Sequence, residues 1–380
     1  MRGAGGNHPV TRVLFVSRER FRLPLDDTQR RKWDAIGELL DYRVVAAAQP
    51  GSPTRAERFL LAGPTRPAAL DGAFYYLRLP LRVARELRRF RPDVVIAQNV
   101  HETALVLGAR AAARSRARVV LDLHGDWRAA TRLYGSRSRA LLNPVNDLVG
   151  RLAIHRADAV RVISAWTAGL VRAEGVEPAA VFPAFVDATA FRERPPVPLP
   201  EEPCALFVGV LERYKGFDVL ADAWRTVARE LPEARLCIVG RGTLAPEAAR
   251  LVDDVPGVSW HAQRSPAEIA TALDEATLLV LPSRAEGLGR VVIESFSRRR
   301  PVVGARAGGI PDIVSDDENG VLVPAGDGAA LAAALVRVLT DRSLAERLGA
   351  VGERVAAEWA VAPEVYAARV EALVQNVLAE

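Results

Sequence analysis

The sequence predicts an α/β protein made of two doubly wound, parallel-sheet domains that face each other across a cleft. Short runs that are apolar throughout, as parallel strands covered on both faces are, alternate with longer Ala-, Leu- and Arg-rich stretches of helical character. A Pro-rich segment separates these runs into two sets. The runs predicted as strands are Val13–Ser17, Arg43–Ala47, Val94–Gln98, Val119–Leu123, Val160–Ser164, Ala205–Val210, Arg235–Gly240, Leu278–Ser283, Pro301–Gly304 and Val321–Val323.

The Pro-rich segment sets the expected domain boundaries. Residues 193–203 contain five prolines, which excludes a helix or a central strand and favours a linker. We therefore expect a first domain over 1–192 and a second, ligand-binding domain over 204–361. Residues 362–380 are predicted to form an amphipathic helix, because their apolar side chains recur at helical spacing.

Composition and charge narrow the class of protein. Apolar residues make up 49% and charged residues 26% of the 380 residues, as in ordinary globular proteins. Cys204 and Cys237 lie in apolar runs without metal-ligand spacing, so free thiols in a cytoplasmic protein are expected. Residues 1–195 hold 32 Lys and Arg against 19 Asp and Glu, which favours an anionic partner. A nucleic acid is not expected, because no basic motif is interleaved with aromatic residues.

Lys215 belongs to a loop expected to bind phosphate. It is one of only two lysines among 51 basic residues, and it lies in the segment LERYKGFD between a predicted strand and a helix expected to begin near Val219. A cation beside the free N–H groups of a helix start suits a phosphate, and parallel sheets bind ligands beyond the carboxyl ends of their strands. A solvated surface lysine is the alternative. Gly240 ends the next strand in a similar Gly-Arg-Gly turn.

Two glutamates follow the strand predicted at 278–283. Glu286 lies in the next loop, and Glu294 lies eight residues further, within a helix predicted over 290–297. The spacing excludes a side-by-side acid/base pair and favours contacts to two parts of one extended ligand. Gly287 and Gly289 would let backbone amides approach an anion at the helix start. Two solvated carboxylates are the alternative.

These segments resemble the donor site of retaining glycosyltransferases of family 4, which have the GT-B fold of two Rossmann-like domains. The two glutamates are spaced as in that family, and the strand and AGGIPDIV loop at 301–314 follow them as expected. VGVLERYKGFD, at 208–218, is similar to the family's Lys-Gly segment. LDLHG, at 121–125, resembles its strand that ends in histidine.

The resemblance implies roles for the matched residues. Glu294 would bind the nucleotide ribose, Glu286 the hydroxyls of the donor sugar, and Lys215 the diphosphate leaving group. His124 would contact the sugar at the reacting face, with a structural histidine as the alternative. The candidate catalytic residues are therefore His124 and Glu286. The further donor-side candidates are Arg213, Gly240 and the backbone amides of Gly287, Leu288 and Gly289.

The implied reaction is transfer of a sugar, expected to be a hexose, with retention of configuration. The co-substrate would be a nucleotide-diphosphate-sugar, and no metal or other cofactor is expected. A phosphate oxygen of the donor would take the proton of the acceptor hydroxyl. The acceptor, whether a glycan, a lipid-linked molecule or a small molecule, is not indicated by the sequence.

Two positions depart from the family's pattern. In the family, the first conserved segment of the second domain usually has an arginine directly after its glycine. This chain has Val210 at that position. The family also usually has a glycine pair after the first strand, whereas Ser17–Leu25 reads SRERFRLPL. One interpretation is that an arginine takes the place of backbone amides there.

Other functions share parts of this pattern. A nucleotide-sugar epimerase has the same fold and would need no acceptor. A catalytically silent nucleotide-sugar-binding protein is a second alternative, because of Val210. A Rossmann dehydrogenase is not expected, since no Gly-x-Gly-x-x-Gly follows the first strand.

Residues 77–91, LRLPLRVARELRRFR, predict a basic amphipathic helix. Arg82, Arg85 and Arg89 are expected on one face, and an apolar stripe that includes Val83 and Leu87 on another. One interpretation is an ordinary surface helix packed on the sheet. The other is a peripheral contact with the anionic inner face of a membrane, which would suit a lipid-linked acceptor.

Overall fold

The computed structural model describes residues 10–67, 70–129, 132 and 143–380. The first of its two domains is built on an eight-stranded sheet whose strands are β1 (Arg12–Phe21), β2 (Asp41–Ala48), β3 (Arg55–Ala56), β4 (Phe59–Ala62), β5 (Val94–Gln98), β6 (Arg118–Leu123), β7 (Ala159–Val162) and β8 (Ala180–Val181). The strand order is β3-β4-β2-β1-β5-β6-β7-β8. All neighbours are parallel except β3 and β4, which form a short antiparallel pair.

The second domain has a six-stranded, fully parallel sheet. Its strands are β9 (Cys204–Val208), β10 (Arg235–Val239), β11 (Val258–His261), β12 (Leu278–Leu281), β13 (Val302–Ala305) and β14 (Gly320–Val323). They are ordered β11-β10-β9-β12-β13-β14. Two parallel-sheet α/β domains confirm the predicted fold class.

Helices cover the sheets on both faces. In β1, Val13 packs with Ile36 of one helix, whereas its neighbour Leu14 packs with Leu79 and Val83 of another on the opposite face. The described helices are α1 (Asp27–Leu39), α2 (Asp71–Arg89), α3 (Asn99–Ala113), α4 (Asn143–Arg156), α5 (Ala165–Ala173), α6 (Phe217–Glu230), α7 (Ala245–Asp254), α8 (Pro266–Asp274), α9 (Arg290–Ser297), α10 (Gly328–Thr340), α11 (Arg342–Trp359) and α12 (Pro363–Ala379).

The structure adds four strands that the sequence pattern did not predict, namely β3, β4, β8 and β11. Strands β3, β8 and β11 lie at the edges of the two sheets, whereas β4 is a four-residue strand between β3 and β2. Edge strands need not be apolar on both faces, and β11, with the sequence VSWH, carries two polar residues. The edge strands therefore gave no long apolar run, whereas the apolar run FLLA of β4 was overlooked in the sequence.

The Pro-rich segment 193–203 forms neither helix nor strand. Arg298, Arg300 and Arg342 of the second domain each donate hydrogen bonds to two successive carbonyl oxygens of this segment. Arg298 and Arg300 are almost fully buried. Prolines have no N–H group, so the segment cannot form a regular backbone hydrogen-bond ladder. The arginines donate to its carbonyl oxygens instead, and they attach the segment to the second domain.

The last helix returns to the first domain. In α12, Tyr366, Val370 and Val374 are buried in the cluster that contains Trp33 and Ile36 of α1. The chain therefore crosses between the domains twice, once near residues 183–193 and once before α12.

Helix α2 contains most of the basic segment and corrects one part of its prediction. Val83 and Leu87 are buried, as expected. Arg82, however, does not lie on an exposed basic face with Arg85 and Arg89. Its guanidinium donates to the carbonyl oxygens of Leu60 (2.7 Å) and Ala46 (3.4 Å), which belong to strands β4 and β2 beneath α2. Arg85 and Arg89 are exposed.

Cys204 and Cys237 are free thiols and are partly buried. Burial raises the pKa of Cys204 to about 12, and it also raises the pKa of Cys237. Both side chains are therefore protonated and unreactive at neutral pH.

Candidate active site in the cleft between the domains

A cleft of about 540 Å³ lies between the two domains. Loops at the carboxyl ends of strands in both sheets contribute to it, as expected for parallel sheets. The residues that line it are Arg18, Tyr76, Asn99, Val100, His101, Glu102, His124, Gly125, Asp126, Trp127, Ala129, Trp166, Tyr214, Lys215, Ala285, Glu286 and Gly287. The cleft thus brings together four of the residues predicted from the sequence, namely Lys215, Glu286, Gly287 and His124.

Lys215 and Glu286 form an ion pair that faces the cleft. Lys215 Nζ lies 2.5 Å from Glu286 Oε2, and the two side chains are 19% and 13% exposed. The loops that carry them are tied together, because the backbone N–H groups of Arg284 and Ala285 donate to the carbonyl of Tyr214. An ammonium group and a carboxylate that are fixed side by side suit a ligand with both phosphate and hydroxyl groups.

The turn after β9 brings Lys215 into place. Residues Arg213–Lys215 form a single 3₁₀ turn that ends at Gly216 with φ of 70°. A Cβ at Gly216 would lie 1.9 Å from the carbonyl oxygen of Pro282, so this position requires glycine for its backbone angle and for space. The arrangement places the β9 loop directly against the end of β12.

The Glu286 loop is packed between the first domain and the loop that follows β13. A Cβ at Gly287 would lie 2.1 Å from the backbone oxygen of His124, and one at Gly308 would lie 2.0 Å from the carbonyl of Glu286. The N–H of Gly309 donates to that same Glu286 carbonyl at 2.9 Å. The glycines of this region therefore permit close approach of three backbone segments, a role that sequence reasoning did not assign to the 307–314 loop.

His124 is held by internal partners on both ring nitrogens. Its Nε2 lies 2.9 Å from Asp122 Oδ2, and its Nδ1 lies 3.1 Å from Gln98 Nε2. With the Gln98 amide donating to Nδ1, the ring proton is on Nε2 and is donated to Asp122. The ring is thus fixed in one orientation at the floor of the cleft. The backbone carbonyl of His124 meets the Gly287 loop across the domain boundary.

Arg161 anchors this histidine network. Its guanidinium is 2% exposed, forms an ion pair with Asp122, and donates to the carbonyls of Phe182 and Pro183. Burial would raise the pKa of Asp122, but the charge of Arg161 and the hydrogen bonds from His124 and Arg161 outweigh burial and hold that pKa well below its ordinary value. Asp122 is therefore ionised at every working pH. Asp122, Arg161 and Gln98 were not predicted as site residues, because they lie on three different strands and form no local motif.

The other predicted donor residues lie outside this cleft lining. Glu294 is on α9, and burial raises its pKa, with Arg290 partly offsetting the effect. Leu288 is buried in the core of the second domain, so only its backbone is available to a ligand. Arg213 is 70% exposed and lies 3.8 Å from Asp218, away from the Lys215 pair. A Cβ at Gly240 would lie 1.8 Å from the carbonyl of Gly209, which gives this glycine a packing role.

The wall of the cleft in the first domain contains polar and aromatic residues that the sequence did not indicate. Tyr76 donates its hydroxyl to Glu102 Oε1 at 3.0 Å, and Glu102 is 2% exposed. Burial raises the pKa of Glu102 and lowers the pKa of His101. Trp127 and Trp166 add aromatic surface. These residues come from separate loops and helices, so no contiguous pattern could have identified them.

The fold and the cleft define a GT-B protein. Two family models match the chain, Glycosyltransferase Family 4 over residues 38–190 and Glycosyl transferases group 1 over residues 202–341. The two matches lie in different domains and together cover most of the chain. The chain belongs to the family 4, group 1 glycosyltransferases, which confirms the family predicted from the sequence.

Individual relatives agree with this assignment. The chain is 29% identical over 299 residues to sulfoquinovosyl transferase SQD2 of Arabidopsis thaliana, a match that covers 72% of this chain and 56% of that protein. It is 38% identical over 132 residues to a D-inositol 3-phosphate glycosyltransferase of Segniliparus rotundus, covering 33% of this chain and 29% of the relative. The chain therefore spans about half, or less, of the length of these relatives.

Solved structures share the fold over nearly the whole chain. Sucrose-phosphate synthase from Thermosynechococcus elongatus has a TM-score of 0.78 at 20% identity, covering 97% of this chain and 99% of its own. Anabaena HepE in complex with UDP-glucose has a TM-score of 0.68 at 17% identity, covering 94% and 98%. At these identities the likeness concerns the fold.

Two further findings concern metals and membranes. Among the residues that the structure describes, no group of three or more His, Cys, Asp and Glu side chains is arranged to hold a metal ion. Within the same part of the chain, every helix is too short or too polar to cross a bilayer.

Proposed function

We propose that this chain transfers a sugar, expected to be a hexose, from a nucleotide-diphosphate-sugar to an acceptor hydroxyl, with retention of configuration and without a metal ion. In this reaction the bond between the anomeric carbon and the diphosphate breaks, and a bond from that carbon to the acceptor oxygen forms on the same face. The acceptor proton goes to a phosphate oxygen of the leaving nucleoside diphosphate.

The observation that carries the proposal is the Lys215–Glu286 ion pair in the cleft. The Lys215 ammonium would neutralise the diphosphate as its charge grows in the transition state, which is the task of the metal ion in other glycosyltransferases. Glu286, released from Lys215 by the incoming phosphate, would accept hydrogen bonds from hydroxyls of the transferred sugar. Both groups already lie at the cleft before the donor binds, and the change that this step requires is the separation of their ion pair.

The remaining roles extend from this pair. Glu294 would accept the ribose hydroxyls further along α9, and the amides of the loop 287–289 would approach the sugar or diphosphate. His124, fixed by Asp122 and Gln98, would form the floor against which the reacting sugar lies. Family membership supports retention of configuration. Val210, 43% exposed where the family usually has arginine, leaves Lys215 as the main cation of this loop.

The test begins with thermal unfolding in the presence of nucleotide-sugars, because a ligand that binds only the folded state raises the midpoint and no acceptor is required. UDP-sugars are the first probes, since HepE was solved with UDP-glucose. Stabilisation followed by sugar transfer to an acceptor panel supports the proposal. Formation of an isomer from the donor alone would identify an epimerase instead, and binding with no turnover would identify a silent binding protein.

We infer in addition a cytoplasmic protein that contacts the inner face of the membrane through α2. Leu77 and Leu81 on this helix are 72% and 76% exposed, which places two apolar side chains beside the exposed Arg85 and Arg88. Such a surface suits an anionic bilayer, where the leucines enter the interface and the arginines meet phosphate groups. The acceptor would then be lipid-linked, which is consistent with this surface but is not required by the cleft.

A further inference from the structure

Strand β1 is irregular where it reaches the cleft. It pairs with β2 in register from Arg12 to Val16, but Arg20 then faces Ala47, only two residues beyond the partner of Val16. The four residues 17–20 of β1 thus face only two residues of β2, so residues 17–19 bulge out of the ladder. Bulges of this kind redirect side chains and are frequent beside active sites. The residue at the centre of this bulge is Arg18, which lines the cleft.

The surroundings of Arg18 hold its guanidinium in place. The Tyr75 hydroxyl donates to the carbonyl of Ser17 and fixes the bulge. The Tyr76 ring lies under the guanidinium, 5.5 Å from its central carbon to the ring centroid. At Gly72, a Cβ would lie 2.8 Å from one Arg18 nitrogen, so the absence of a side chain there leaves room for the guanidinium.

The charge of Arg18 is available to a ligand. Among the described residues it forms no ion pair with a carboxylate, whereas the next arginine of β1, Arg20, is paired with Asp71. The acidic neighbour in this wall, Glu102, already accepts the Tyr76 hydroxyl. On the opposite side of the cleft, Lys215 is engaged by Glu286. Arg18 is thus a positioned cation on the wall that faces the donor loops; it forms no direct ion pair among the described residues, although its charge acts on the buried Glu102 carboxylate.

We propose that Arg18 binds a phosphate group in the cleft, in place of the backbone amides that a glycine-containing loop after the first strand would supply. A guanidinium held against an aromatic ring presents several N–H donors in a fixed plane, which matches the oxygens of phosphate. The inference rests on the proposed function. The phosphate has two sources, the diphosphate of the donor and a phosphate carried by the acceptor.

The experiment compares wild type, Arg18→Gln and the control Arg22→Gln. Arg22 is also exposed, lies four residues further along and does not line the cleft. Glutamine keeps hydrogen-bonding capacity and removes the charge. Because Arg18 is exposed, all three proteins should unfold at the same temperature without ligand. Calorimetry then measures the affinity for UDP, and for inorganic phosphate added to the UDP-saturated protein.

If the donor is the source, Arg18→Gln weakens UDP binding about 10- to 100-fold, the range for loss of a charged hydrogen bond, and Arg22→Gln does not. If the acceptor is the source, UDP affinity is unchanged, and wild type with UDP bound takes up inorganic phosphate while Arg18→Gln does not. Equal UDP affinity and equal phosphate uptake in wild type and Arg18→Gln would overturn the inference. Failure of wild type itself to bind any nucleoside diphosphate or nucleotide-sugar would overturn the proposed function instead.

Discussion

The two walls of the cleft are built in different ways. In the second domain, Lys215 and Glu286 lie on neighbouring loops at one edge of the sheet, and backbone hydrogen bonds join those loops. In the first domain, Arg18, Tyr76 and Glu102 come from a bulged strand and two helices. A site made by adjacent loops leaves a short pattern in the sequence, whereas a wall assembled from distant elements does not. The sequence therefore indicated Lys215, Glu286 and Gly287 in the second-domain wall, whereas in the first-domain wall it indicated only His124.

The largest effect is expected in the buried network of the first domain. Asp122→Asn removes the carboxylate that compensates the buried Arg161 guanidinium, so the free energy of unfolding should fall by about 3–5 kcal/mol at neutral pH. Glu177→Gln, which breaks an exposed pair with Arg172, is the matched control and should change little. Denaturant unfolding measures both variants.

The same network has a defined pH dependence. Because the pKa of Asp122 is lowered in the folded state, its stabilising contribution is present above the ordinary carboxyl pKa and is lost as the pH falls through the lower, folded-state value. The difference between wild type and Asp122→Asn should therefore shrink in acid. A difference that is absent at pH 7 would contradict the role given to this pair.

In the second domain the largest effect should be on turnover. Lys215→Ala should lower kcat about a hundredfold or more, because one preorganised charge is lost from the leaving-group site. Lys32→Ala, at the other lysine of the chain, is the control, since Lys32 lies over the Trp33 ring on α1. Steady-state kinetics with an identified donor decides. A Lys215→Ala enzyme with wild-type kcat/KM would remove the main support for the donor site.

The sequence predicted the bounds of single helices and strands most accurately. The helix predicted over 290–297 is α9, with the same bounds, and the strand at 94–98 also matches. The prediction that Arg82 lies on an exposed basic face was wrong. Helical periodicity gives the direction of a side chain around the helix axis, but not the partner that a long side chain contacts. Arg82 is long enough to turn back and donate to carbonyls of the sheet beneath α2. The network around His124 was missed for a related reason, since its partners are neighbours across strands and not along the chain.

The two glutamates should separate nucleotide from sugar recognition. Glu294→Gln should weaken binding of a plain nucleoside diphosphate about tenfold, because a charged acceptor for the ribose hydroxyls is lost. Glu286→Gln should not weaken that affinity, because it frees Lys215 from its ion pair, but it should weaken binding of the intact nucleotide-sugar. Calorimetry with both ligands measures this division. Equal losses for the two variants on the plain nucleotide would contradict it.

The buried Glu294 carboxylate is expected to lower the stability of the unliganded protein at neutral pH while it strengthens nucleotide binding. Burial raises its pKa in the folded state, so the folded protein holds this proton more tightly than the unfolded chain does. Stability from this group is therefore greatest at low pH and declines as the pH rises through the folded-state pKa. At neutral pH, Glu294→Gln should unfold at a higher temperature than wild type without ligand, while it binds nucleotide less well.

A smaller effect is expected for the membrane surface of α2. Wild type should float with anionic but not neutral liposomes, and 0.5 M salt should abolish this, because it reduces the screening length to about 4–5 Å. Replacing Arg85 and Arg88 by serine should weaken binding by about 1 kcal/mol per residue. A Leu77→Ser and Leu81→Ser variant tests the apolar part. Absence of wild-type binding to either vesicle would leave a soluble acceptor as the better hypothesis.

No change at all is expected on removal of metal ions. Lys215 would provide the charge that a divalent ion supplies elsewhere, so activity should be the same with and without EDTA. The assay needs only a donor and an acceptor that wild type accepts. Loss of activity with chelator, restored by Mg²⁺ or Mn²⁺, would contradict the account of the leaving-group site.

Hydrogen exchange with a nucleoside diphosphate tests most directly the claim that the second domain binds the donor through its adjacent loops. Binding of UDP, or of whichever nucleotide stabilises the protein, should slow amide exchange in residues 211–218, 284–290 and 307–310. Exchange in the first domain should slow beside His124, and beside Arg18 only if the donor supplies the phosphate that Arg18 binds. Protection confined to the first domain, or spread evenly over both, would contradict the assignment of the donor site.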